Sequence, residues 1–181
     1  IRGAAWRRIW PGPVIMLPPN DRLARAAAEH QLARAETRVE AAVITAMRAW
    51  LAATRAAILT EAANLTVTAA GWPTPLAVDA AVSAYGVWRH ELQATILPTV
   101  AIVMGEAFQA QRRANPDGAF WHQQQYLATV ADRLRIWPEN AFDDLRPELL
   151  ELLADADTID DATDRIGRVL NIDADTRDLR A

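Results

Sequence analysis

Apolar residues along this chain recur mostly at intervals of three, four and seven, the cadence of helices with one buried face. The clearest run is Leu32, Val39, Val43, Met47, Trp50 or Leu51, Thr54 and Ile58. No Gly or Pro falls between Arg22 and Ala63, and Asn20 or Asp21 can cap the start. A helix of some forty residues would measure about 60 Å, more than a compact small domain accommodates, so it should project in part or belong to an assembly. The stretch "NLTVTAAGWPTP" at 64–75 brings β-formers and turn residues and ends the run. A second helical region from about Leu76 carries Trp88, Leu92, Ile96, Val100, Val103 and Ala107, with Ile102, Met104 and Phe108 adding apolar surface off that stripe. Pro98 should kink or restart it. After a loop at "RRANPDG" (112–118), Phe120, Leu127, Val130, Leu134 and Trp137 mark a third helix. Pro138 and Pro147 each suit the first turn of a short helix, where a missing N–H costs nothing. Phe142, Leu145, Leu149, Leu152 and Leu153 would form the inner face of that pair.

The expected fold is therefore all-α. It divides into an irregular arm at 1–19, a long-helix and bundle region at 20–137, and a small C-terminal helical subdomain at 138–181. Composition agrees: Ala is abundant, there are only 7 Gly, and half the residues are apolar. Lacking Cys, the chain has no disulfide or thiolate metal site. All 19 basic residues are Arg, which we read as GC-rich coding rather than physics. The longest apolar run, Ile96 to Met104, is too short to span a bilayer, and the start lacks a signal-peptide core. A soluble intracellular protein is the expectation. The chain begins with Ile, so it reads as part of a longer product.

Charge changes the picture more than composition does. The net charge is −4, yet residues 1–60 carry nine Arg against four acids (+5) and residues 139–181 carry thirteen acids against five Arg (−8). The acidic end includes "DADTIDDATDRIGRVL" (155–170), which invites a calcium-loop reading. That reading fails at the fifth, sixth and twelfth positions counted from Asp155, which are Ile159, Asp160 and Ile166. A helix start fits instead. Thr158 and Asp161 resemble a capping box, Asp160 and Asp161 face the positive end of the helix dipole, and Ile159, Ala162, Ile166, Val169 and Leu170 follow at buried-face spacing.

Chemistry is sparse. His30, His90 and His122 fall on separate helices without metal-ligand spacing, and Ser83 has no nucleophile-elbow glycines. No phosphate-cradling loop is present. We therefore assign no catalytic, cofactor or metal residues and expect no enzyme, with a small His/Glu or Asp/Glu metalloenzyme as the least favoured reading. The arm is more suggestive. Trp6, Arg7, Arg8, Ile9 and Trp10 combine the two residue types that most often anchor interfaces, although the arm could equally fold back on its own helices. Arg with aromatics also suits nucleic acid.

One resemblance bears on function. The order "YLATVADRLRIWPENAFDDLRPELLELLADADTIDDATDRIGRVL" includes Arg133-Leu134, then Pro138-Glu139 and Phe142, then Arg146 with Glu148-Leu149, then Thr158-Ile159 with Arg165-Ile166. This pattern resembles the MuF-like phage head morphogenesis proteins, or minor capsid proteins, of actinobacteriophages. It extends over about residues 20–181. The family's Gly-Glu turn is Asp155-Ala156-Asp157 here, and its Arg-Ala-x-x-Ile-Ala-Arg-Thr-Glu-like helix would begin about where the chain stops, at Arg180-Ala181. The resemblance implies a virion structural protein inside the head, made in the host cytoplasm and bound to the portal or major capsid protein in a multi-subunit assembly. It would touch packaged DNA at most non-specifically and need no membrane or cofactor. A DNA-binding module using the Arg-bearing N-terminal half is the alternative.

Overall fold

The computed structural model describes residues 22–64, 74–114 and 123–170, and every regular element in them is helical. The fold is all-α, as the apolar periodicity requires. Helix α1 runs Arg22–Asn64, 43 residues without a break. At 1.5 Å per residue it is about 64 Å long. A second rod comprises α2 (Thr74–Asp79), a 3₁₀ turn (Ala80–Ala84), α3 (Tyr85–Glu91), a π turn (Leu92–Ile96) and α4 (Leu97–Ala114). Then come α5 (Gln123–Arg135), α6 (Trp137–Ala154) and α7 (Ile159–Leu170). The arm at 1–19, the caps at Asn20 and Asp21, Phe120 and His122 lie outside the described residues.

Helix α1 is the spine. Its buried seam includes Ala35, Val39, Val43, Ala46, Trp50, Thr54, Ile58 and Ala62, all under a tenth exposed. The sequence pattern identified most of the large members of this seam. It omitted the alanines, whose short side chains are what let other helices approach closely. α2, the 3₁₀ turn, α3, α4 and α7 all pack on α1. The 3₁₀ turn faces inward with Ala81 and Ala84. By length and composition α1 could also cross a bilayer, yet its apolar seam is the surface turned toward the other helices.

The irregularity expected at Pro98 takes the form of a π turn over Leu92–Ile96, after which α4 begins at Leu97, with Pro98 in its first turn. Leu97 donates its N–H to Leu92 O, five residues back. A wide turn relieves the clash between the proline ring and the preceding carbonyls. It also aligns the core residues. Trp88, Leu92, Ile96 and Val100 recur every four residues, a spacing that drifts by about 40° per step in a regular α-helix. One over-long turn absorbs most of that drift, and all four are buried.

Pro147 gives a correction. It does not start a short helix but lies inside α6, which is continuous over 18 residues. The N–H it lacks would have bonded Asp143 O. Both residues are exposed, so water can serve that carbonyl. Phe142, Leu149 and Leu153 on the other side are buried. These three, with Ala162, Ile166 and Leu170 of α7, join the same buried cluster as the α1 seam. At the end of α4, residues 112–114 are helical rather than loop.

Three indoles lock the elements together. Trp137, at the start of α6, meets Trp50 edge-on at 5.4 Å and Trp88 at 4.7 Å between ring centroids. Trp88 Nε1 donates to Leu134 O at 2.8 Å. That carbonyl belongs to the last turn of α5, and the residue four places on is Pro138, which has no N–H to offer. The indole thus fills a bond that the chain itself does not make. Trp88→Phe should leave this buried carbonyl unpaired and cost about 1–3 kcal/mol, measurable by urea denaturation. Thr54 offers the opposite test. Its hydroxyl is buried and makes no hydrogen bond to the described residues. Thr54→Val keeps the shape and removes that group, so stability should rise by about 1 kcal/mol in the same assay.

Candidate docking surface

Among the described residues, those singled out from the sequence do not assemble into a reactive centre. Trp6, Arg7, Arg8, Ile9 and Trp10 lie outside the described residues. His30 on α1 and His90 on α3 are exposed, on separate helices. Among the described residues, no three His, Cys, Asp or Glu side chains come together as a metal-ligand set.

The acidic stretch is a helix start in detail. Asp161 N–H donates to Thr158 Oγ1 at 3.1 Å, the first half of a capping box. The reciprocal bond is displaced by one residue: the Asp157 N–H donates to Asp161 Oδ2 at 3.3 Å. Arg165 Nε closes the group on Asp161 Oδ1 at 2.8 Å. The hydrogen bond from Arg165 is the main reason the Asp161 carboxyl sits below the usual aspartate range, and the Asp157 N–H and the charges of Arg165 and Arg168 add to it. Beneath this turn Ala156, Ala162, Ile166 and Leu170 are buried. The carboxylates here therefore order a helix terminus.

What the structure adds is a cleft that sequence inspection did not find. The N-terminal half of α1 and the C-terminal half of α4 run antiparallel, and a cleft of about 410 Å³ opens between them. Leu32, Ala35, Val103, Ala107 and Ala110 supply its apolar lining, while Arg34, Arg38, Glu106 and Arg113 supply charge. Arg38 spans it with a bidentate pair, Nη1 donating to Glu106 Oε1 at 3.0 Å and Nη2 to Oε2. This pair holds the Glu106 carboxyl below its ordinary range and the Arg38 guanidinium above its own. A second, shallower cleft of about 430 Å³ continues beyond Arg38 between Ala41, Ala42 and Thr45 of α1 and Thr95, Thr99 and Ile102. Ile102 is 58% exposed at its edge. The signal in the sequence was that Ile102 stands off the α4 stripe; the cleft itself depends on alanines whose periodicity is silent.

Toward its N-terminus the described part of α1 is only lightly covered. From Ala26 to Arg34 no residue is buried, and the seam begins at Ala35.

Among known protein families, curated proteins and solved structures, none matches this chain. The residues on which the sequence resemblance rests are chiefly packing residues here. Leu134, Phe142, Leu149 and Ile166 are core, Arg146 pairs with Asp79 at 2.9 Å, and Arg165 pairs with Asp161.

The cap yields a pH test. A carboxyl whose pKa is lowered by folding stabilises the fold at pH values above its unfolded pKa, and the gain disappears as pH falls through the folded value. Wild type should therefore exceed Asp161→Asn in Tm at neutral pH, with the gap closing below about pH 4. Thr158→Ala should cost about 1 kcal/mol through loss of the same cap. Thermal unfolding by circular dichroism across pH measures both.

Proposed function

We propose that this chain is a structural and interaction protein, a minor head protein of a tailed bacteriophage that binds at or near the portal inside the capsid and aids head assembly or DNA movement. The observation that carries the interaction reading is the first half of α1. Among the described side chains from Ala26 onward none is buried before Ala35, and this part of α1 flanks an open, apolar-floored cleft. The phage assignment rests on the spacing of Arg133-Leu134, Phe142, Arg146, Leu149 and Arg165-Ile166. In this reading the arm anchors by burying Trp6, Ile9 and Trp10, while Arg7 and Arg8 meet acidic groups on the portal or major capsid protein.

The alternative, a DNA-binding module, places Arg34, Arg38 and Arg48 of α1 on phosphates. These three share one face of α1, with Glu29, Glu36 and Glu40 on the opposite side, but Arg38 is already paired with Glu106 and Arg48 lies about 15 Å further along the helix.

Deleting residues 1–19 should abolish co-purification with a co-expressed portal protein while the far-UV helical signal of the remainder persists. Unchanged recovery would remove the arm from the interface. DNA retention that falls steeply with salt, in place of portal binding, would favour the alternative.

A further inference from the structure

The cleft between α1 and α4 and the outer face of α6 are complementary in charge and in length. Three arginines, Arg34, Arg38 and Arg113, line the cleft against the single acid Glu106, which Arg38 already holds. The cleft therefore keeps a positive surplus above an apolar floor. On α6, Asp144, Glu148 and Glu151 continue into Asp155 at steps of four, three and four, so the four carboxylates share one face. All are exposed, and none takes part in an ion pair among the described residues. The short side chains of Pro147 and Ala154, also exposed, let the α6 backbone come close. The stripe is about 16 Å long, and the two clefts together follow α1 from Gln31 to Thr45 for about 21 Å.

The two surfaces cannot meet within one chain. Helix α6 packs on α7, and α7 lies on α1, with the Arg55 guanidinium beside Gly167. Arg55 is about 31 Å along α1 from Arg34. We propose that the α1–α4 cleft receives the acidic face of α6 from a second copy of this chain, joining copies head to tail. The contact is heterologous, so each copy keeps a free cleft at one end and a free α6 face at the other, and addition continues to a ring or a filament. This inference stands on charge and geometry and is independent of the phage assignment.

Sedimentation velocity of the full chain tests it. At about 30 mM salt the average mass should rise with concentration past that of a dimer; at about 0.5 M, where charges are screened beyond a few ångströms, it should return to the monomer. Arg34→Glu with Arg113→Glu, and separately Glu148→Arg with Glu151→Arg, should each give monomers at low salt. Mixed one to one, these two variants should form a dimer that grows no further, because the first offers only its α6 face and the second only its cleft. That mixture also guards against misfolding, since a variant that fails to fold cannot complement. A monomer at every concentration would overturn the proposal, as would association that persists at high salt or in both variants, or a mixture that stays monomeric.

Discussion

The structure depends on the contact among Trp50, Trp88 and Trp137. It joins the middle of the long first helix to α3 and to the start of α6. The hydrogen bond from Trp88 to Leu134 O adds the end of α5. Four helices are thus fixed by three side chains that each bury a large apolar area. The other packing is built from smaller pieces. Alanines at 35, 46, 62, 81 and 84 set close approach, and leucines, isoleucines and valines fill what remains. Without the indole cluster, α1 would be a rod with neighbours; with it, α1 is the common wall of one core.

Much of this was legible in the chain. The unbroken run from Arg22, the apolar stripe of the second region, the inner face of α6 and the Thr158 cap all follow from spacing. Four things did not. Alanine carries little hydrophobic signal, so the close helix contacts and the α1–α4 cleft left no pattern. Pro147 was given too much weight. At Pro147 the orphaned carbonyl faces solvent, so the residue sits inside α6 rather than in a first turn; the irregularity expected at Pro98 falls in the turn before it, as a π turn. The pairing of Trp88 with Leu134 O joins positions 46 apart in sequence, and only the fold brings them together. Thr54, placed on the buried face by its spacing, gave no sign that its hydroxyl would lack a partner there.

The charge asymmetry of the sequence becomes directional in three dimensions. Residues 139–170 hold ten acids against three arginines, and they lie on α6 and α7, away from the cleft lined by Arg34, Arg38 and Arg113. Helix α1 keeps these regions apart by its length. The acids nearest the helix starts do local work, as Asp161 does for α7, and those along the outer face of α6 have no such duty.

The seam on α1 has one more consequence. Its buried positions are spaced by nearly four residues rather than 3.6, so the seam winds around the helix. Between Val39 and Ala62 the direction of burial turns by about 140°. The sector that meets α4 near one end and the sector that carries α7 toward the other therefore do not look the same way. The body is assembled as part of a screw about its own longest helix, and its handedness is written in the intervals between α1's apolar residues.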